Sequence, residues 1–322
     1  MPTRSVRGVS APRVRLDGGR RSVLVGLVTG LAALTMAACA GGNQTLPSAN
    51  TTLDVVATTT VFADLVEQVG GEDVSVTSLV PKGGEVHTFD PSPSDLRAVA
   101  DADLIVMNGL GLDDWLRAVI EDSGATAPIV ELATDLPGVE YLADEADGGA
   151  VNPHLWLNVD YAMRYVERII DQLSQVDPSR AEAYRSRGDD YLARLAELDA
   201  STRERIAAIP AEDRVIVSFH EAFPYFAKAY GLTIVGSIVD APGQDPSAGE
   251  IAALVEAIRE SGAKAVFGEA QFSPELVETI ASEAGITVES DLYNDSLGDP
   301  PVDTYEGLIR WDVDRVVAAL DG

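Results

Sequence analysis

The chain has 322 residues, with 52 acidic against 23 basic side chains and a formal net charge of −29. So negative a protein will not bind nucleic acid and is repelled by anionic lipid surfaces. A single cysteine, Cys39, excludes an internal disulfide framework, and three histidines are the whole imidazole supply.

The N-terminal stretch reads as an export signal rather than as part of the fold. Arg20 and Arg21 precede the apolar run VLVGLVTGLAALTMAA, which ends in small residues before Cys39. Val23 to Ala38 is 16 residues, too short for a membrane span. Cys39 directly after Met36-Ala37-Ala38 resembles a lipobox, which implies a diacylated cysteine at the mature N-terminus. The paired arginines are also compatible with twin-arginine export. Residues 1–38 are therefore expected to be a lipoprotein signal peptide and 39–52, small and polar, a flexible tether. Without residues 1–38, which hold six arginines and one aspartate, 17 basic and 51 acidic residues remain, a net charge of 17 − 51 = −34.

Beyond the tether, β-branched runs alternate with amphipathic ones. Strands are expected at 53–59, 74–80, 104–108 and 129–132, and again at 215–219, 232–238, 265–267 and 286–288. Helical patterns between them include 62–69, 93–100, 113–122, 248–261 and 274–284. Four strands, a helical interruption and four more strands predict an α/β fold of two lobes, each with a mainly parallel four-stranded sheet. The interruption opens on Asp177-Pro178, an N-cap followed by proline at the first helical position, and stops at Pro210. Tyr184, Tyr191, Leu195, Leu198, Ile206 and Ile209 recur mostly at helical spacing. Thirty-two helical residues would span about 48 Å, enough to bridge two lobes. A break near Gly188 or Ser201-Thr202 would give two shorter helices instead. The expected organisation is a first lobe over 53–176, a linking backbone helix over 177–210 and a second lobe over 211–322.

His87 lies in GGEVHTFDPSPSDL, His154 in AVNPHLWLN and His220 in VIVSFHEAF. Their separations, 67 and 66 residues, exclude a local finger or helical HExxH site, so any shared site must be assembled by the tertiary fold. His87 follows the strand at 74–80 through a turn-rich segment, and His220 directly follows the strand at 215–219. Those are positions where α/β sheets bind ligands, beyond the carboxyl ends of strands. Imidazole is a common ligand for zinc and similar ions, and a tetrahedron needs a fourth donor. With no cysteine to spare, that donor should be a carboxylate. Asp295, beyond the strand at 286–288, is the best placed; Asp299, Asp291, Glu221 and Glu269 compete with it.

Five segments in order, GGEVHTFDPSPSDLRAVADADLIVMNGLGLDDWL, NPHLWLN, VSFHEAFPYFAKAYGL, AVFGEAQFSPELVETIA and LYNDSL, resemble the bacterial solute-binding protein family 9, the zinc and manganese receptors of ABC importers. The resemblance extends from about residue 53 to the end. It implies two α/β lobes joined by one long backbone helix, with the metal site in the interlobe cleft. It also implies His87 and His154 as ligands from the first lobe, and His220 and Asp295 from the second. The implied protein is a monomeric receptor, lipid-anchored through Cys39 on the extracytoplasmic face of the cell membrane, handing its ion to an ABC permease and its ATPase. Manganese-selective relatives generally carry glutamate where His220 stands. Three nitrogens and one carboxylate favour Zn2+ as the transported ligand, with Mn2+ the alternative.

The chain departs from many zinc-binding relatives at 141–153, YLADEADGGAVNP, where the acidic loop lacks histidine. Other readings are a zinc hydrolase with Glu221 as general base, a surface adhesin, and a chelate-binding receptor using Phe89, Trp156 and Phe223. A phosphate-binding G-x-x-x-x-G-K-[ST] loop is missing from the sequence, so ATP hydrolysis belongs to a partner and the chain is not expected to be an enzyme. Metal affinity should fall as pH drops toward and below about 6.5, where free imidazole gains its proton.

Overall fold

The computed structural model describes residues 52–144, 149–239 and 241–321. The expected signal peptide, Cys39 and the tether through residue 51 lie outside the described residues, as do positions 145–148 of the acidic loop. Two parallel four-stranded sheets organise the described chain. The first contains β1 (Leu53–Ala57), β2 (Val74–Ser78), β3 (Leu104–Met107) and β4 (Ile129–Glu131) in the order β2-β1-β3-β4. Its crossovers carry α1 (Thr60–Gly70), α2 (Pro93–Asp101) and α3 (Trp115–Ser123). A two-stranded hairpin, β5 (Ala143–Asp144) with β6 (Ala150–Val151), precedes α4 (Val159–Val176) and the long α5 (Ala181–Ala207). The second sheet has β7 (Val215–Ser218), β8 (Thr233–Ser237), β9 (Ala265–Glu269) and β10 (Thr287–Leu292), ordered β10-β9-β7-β8. With it come α6 (Pro224–Tyr230), α7 (Ala248–Ser261), α8 (Glu275–Ala284) and α9 (Tyr305–Leu320).

The central strands are covered on both faces, as parallel sheets require, and the side-chain period of two sorts them between two cores. Val55 and Ala57 join the large central core while Val56, one residue away, joins a separate cluster with Ile105, Met107 and Leu116. In the second sheet Ile216, Ala265 and Phe267 face the central core, and Val217 and Val266 face an outer one with Val255 and Ile280. The central core is continuous through residues of both sheets and of α5.

The helix starts follow local chemistry. Ser92 closes a capping box with Asp95 ahead of Pro93, and Ser247 does the same with Glu250. The long helix begins later than the Asp177-Pro178 signal suggests. Asp177 accepts the Ser179 backbone N–H at 3.1 Å and caps a 3-10 turn over Pro178–Arg180, so the α-helix proper opens at Ala181. Its 27 residues make a rod of about 40 Å, shorter than expected and without a break at Gly188 or Ser201-Thr202. The buried face is Tyr184, Gly188, Tyr191, Leu195, Leu198, Thr202 and Ile206. It packs on α1 and α4 from the first half and on α6 and α9 from the second. Gly188 permits the closest approach, because a Cβ there would lie 2.2 Å from Ile170 Cδ1 on α4.

Among the described residues no helix is long and apolar enough to cross a membrane.

Candidate metal centre

The candidate ligands all lie on loops that follow strands. His87 lies on the loop from β2 to α2, His154 three residues after β6, His220 two residues after β7, and Asp295 three residues after β10. The second sheet reverses its strand order between β7 and β9, and Glu269 is the last residue of β9. His220 and Glu269 therefore straddle a topological switch point, where parallel sheets open a crevice.

The fold brings His87, His154, His220 and Asp295 together, with one donor atom from each lying within 4.8 Å of all the others. His154 Nε2 is 3.3 Å from His220 Nε2 and 3.6 Å from Asp295 Oδ1, while His87 Nε2 is 3.7 Å from Asp295 Oδ2. Ligands about 2.0–2.1 Å from a tetrahedral zinc stand about 3.3 Å apart, so these spacings need only a small contraction around an ion. The donor atoms are also short of partners. His87 Nε2 and both Asp295 oxygens are buried with no hydrogen-bond partner among the described residues. Buried polar atoms rarely stay unsatisfied, and three converging on one point fit a cation well. His154, His220 and Asp295 are buried; His87, with a side chain 22% exposed, forms the open side.

Neighbouring groups fix which ring nitrogen faces the centre. Both Glu269 oxygens approach His220 Nδ1, at 2.7 and 2.8 Å, and a carboxylate can only accept, so Nδ1 carries the proton and Nε2 points inward. Asn152 does the same for His154. Its Oδ1 accepts the His154 backbone N–H and lies 3.1 Å from Nδ1, while its Nδ2 donates to the Glu221 carbonyl at 2.7 Å. Those two contacts settle the orientation of the amide, so His154 Nδ1 is a donor as well. The His87 loop is held by Glu85, whose Oε1 accepts the His87 backbone N–H, and by the Trp115 indole N–H on the Val86 carbonyl.

The electrostatics separate the three rings. Burial, helped by His220, lowers His87 to about 3. Burial, then His220 and His87, pushes His154 well below the ordinary imidazole range. Burial also works against a charged His220, but Glu269, with Asp295 and Glu85, outweighs it and lifts that ring to about 9. Asp295 is raised well above the usual carboxylate range by burial and by Glu85 and Glu269. Among the three rings, His220 is therefore the one that favours a proton, and Asp295 shares that tendency.

The competing acids serve otherwise. Glu269 stands behind His220, Asp291 accepts from Arg315 at 3.1 Å, Asp299 is exposed, and Glu221 meets the first lobe through its carbonyl. The aromatic residues are packing groups. Phe89 packs tilted against Trp115 with ring centroids 5.0 Å apart, Trp156 sits edge-on to Phe62 at 5.2 Å, and Phe223 meets Phe226 at 6.1 Å. Sequence reasoning missed Asn152, Asn294 and Glu85. A polar residue within two positions of each candidate ligand was the available signal.

The model of the family described as "Zinc-uptake complex component A periplasmic" matches residues 55–319. The chain belongs to this family. These are the solute-binding proteins of family 9, and the motif resemblance pointed to them. A curated relative, "Manganese-binding lipoprotein MntA" of Halalkalibacterium halodurans, is 32% identical over 93% of this chain and 99% of its own length. "Manganese ABC transporter substrate-binding lipoprotein PsaA" of Streptococcus anginosus is 30% identical over 91% and 97%. Among solved structures, the periplasmic zinc-binding protein TroA of Treponema pallidum superposes with a TM-score of 0.78 at 26% identity, over 84% of this chain and 99% of that one. The two parallel sheets joined by a long helix are thus the fold of the family's metal-binding members.

Proposed function

We propose that the protein is the extracytoplasmic receptor of an ABC importer for a divalent transition metal, and that its ion is Zn2+ held by His87, His154, His220 and Asp295. The observation that carries this reading is the convergence of three imidazole nitrogens and one buried carboxylate without a hydrogen-bond partner, one donor atom from each within 4.8 Å of the others. Four protein donors leave no position for the activated water of a zinc hydrolase, so the ion is cargo and the chain is not an enzyme. The family, the naming of both relatives as lipoproteins and of the Streptococcus anginosus one as an ABC transporter component support an anchor at Cys39, a signal peptide over 1–38, a tether over 39–52 and delivery to a permease with its ATPase. The receptor acts as a monomer, with lobes over 53–176 and 211–322 and, between them, a linking segment over 177–210 built on the helix Ala181–Ala207.

Manganese is the second reading, favoured by relatives named for it. Nitrogen-rich sites suit zinc and oxygen-rich ones manganese, and three of the four donors are nitrogen. The test is elemental analysis of the metal-stripped, detergent-solubilised full chain equilibrated with both ions in competition. One equivalent of zinc supports the assignment. One equivalent of manganese replaces the ion and keeps the receptor, and binding of neither ends the proposal.

A further inference from the structure

Two of the three histidines are oriented from behind, and their supports differ in charge. His154 has the neutral Asn152 amide oxygen. His220 has Glu269, a carboxylate with no solvent exposure, whose Oε1 also accepts the His220 backbone N–H at 3.2 Å. Glu269 is itself fixed. Gln271 Nε2 donates to its Oε2 at 3.1 Å and to Asn294 Oδ1 at 2.8 Å, and that same Oδ1 accepts the backbone N–H of Asp295. One chain of hydrogen bonds, buried except at the half-buried Gln271, thus joins the rear of His220 to the backbone of the carboxylate ligand.

We infer that Glu269 is a positioning and selectivity residue of the metal centre: by holding the His220 Nδ1–H it makes His220 an imidazole with carboxylate character. Resting on the metal-receptor reading, this explains how a nitrogen-rich site can serve a hard cation as well as a soft one. A carboxylate behind a ligating imidazole fixes the tautomer and raises the basicity of the nitrogen that meets the metal. It also adds a second negative charge to that of Asp295, so a divalent ion entering this dry site is balanced. Zinc keeps much of its affinity for a neutral imidazole, whereas manganese depends more on anionic, oxygen-like donors. Glu269 therefore supports manganese binding more than zinc binding.

The test compares the full chain with Glu269→Gln, which keeps the shape and an accepting oxygen but removes the charge, and with Glu269→Leu, which removes both. Zinc and manganese affinities come from competition with chelators of known strength, and ring 15N–1H spectra of the zinc-loaded protein report the His220 Nδ1 proton. The expected result is a loss of about tenfold for zinc in Glu269→Gln and about 100-fold in Glu269→Leu. Manganese should lose more than zinc in each, so the zinc-to-manganese ratio rises. The carboxylate-bound ring N–H, far downfield in the wild type, should move upfield in Glu269→Gln. Equal losses for both ions would reduce Glu269 to a packing role, and wild-type affinities in Glu269→Gln would overturn the inference outright. Where a variant fails to fold, the wild-type spectrum decides alone: a His220 ring N–H without the carboxylate signature also overturns it. A wild type that binds neither ion removes the receptor reading instead, an outcome distinct from all of these.

Discussion

The Trp156 indole N–H donates to the Asn294 carbonyl at 3.0 Å, joining the residue two positions after His154 to the residue just before Asp295. The bond crosses from the first half of the chain to the second beside the centre, and the Tyr305 hydroxyl donates to the Trp156 carbonyl at 2.6 Å from the same side. With Asn152 on the Glu221 carbonyl, the two halves are stitched by the immediate neighbours of the candidate ligands. A change in the distance between halves is thus a change in the distances between donors.

Trp156→Phe keeps the buried ring and removes only the indole N–H. Loss of one buried hydrogen bond should cost about 0.5–1.5 kcal/mol, plus the penalty of leaving the Asn294 carbonyl unsatisfied. The expected outcome is a melting transition lowered by a few degrees and metal release several-fold faster, read by stopped-flow mixing with a chelator.

Asp295→Asn should divide stability from binding. The Asp295 carboxylate is buried and unpartnered until an ion arrives, and burying such a charge is unfavourable. The variant should therefore melt higher than wild type when both are metal-free, and bind zinc at least 100-fold more weakly. Calorimetric melting and titration check the two halves separately.

The pH dependence of binding should lie higher than free imidazole suggests. His87, at about 3, and His154, also lowered, are neutral near pH 7, whereas His220, at about 9, is not. An incoming ion must displace the His220 ε-proton, so affinity should rise with pH up to about 9. The Glu269 carboxylate behind the ring moves this window up from the expected 6.5. Titration calorimetry in buffers of different ionisation enthalpy should detect at least one proton released per ion at pH 7.

The same rings set the stability of the metal-free protein in opposite directions. His220 is raised on folding, so its contribution is full below about 6.5 and lost as pH climbs through about 9. His87 is lowered on folding, so the native state loses ground as pH falls from about 6.5 toward 3. Melting temperatures of the metal-free chain across pH should decline on both sides of an intermediate maximum.

Gly188→Leu should destabilise by overpacking the contact between α4 and α5, where even a Cβ meets Ile170. Inserting carbon into a packed interface costs about 1–3 kcal/mol, measurable by denaturant unfolding.

The eight strands of the two four-stranded sheets were legible because β-branched runs such as LDVVA and AVFGE carry their own signal, whereas the short pair β5–β6 and the far end of β10, which runs to Leu292, were not. The long helix was legible from its apolar period, but its start was misplaced. Whether Asp177 opens an α-helix or a 3-10 turn depends on what surrounds it: its carboxylate also meets Arg180, which itself pairs with Asp73 near β2. The first is a local i,i+3 pair, but the second joins residues remote in the chain and cannot be read from spacing. The short helix α6 and the turn at Leu155–Leu157 carry too few residues to show a period.

The amino-acid order by itself determined the two-sheet α/β plan, the scarcity of imidazole and thiolate ligands and the family, because hydrophobic period, composition and motif order are properties of the chain alone. Only the tertiary structure decided that Asp295 rather than Glu269 faces the three histidines, and that His220 is the ring holding the proton. Those outcomes rest on distances of 3–4 Å between residues remote in the chain and on their burial from water, and electrostatic energies vary steeply with both.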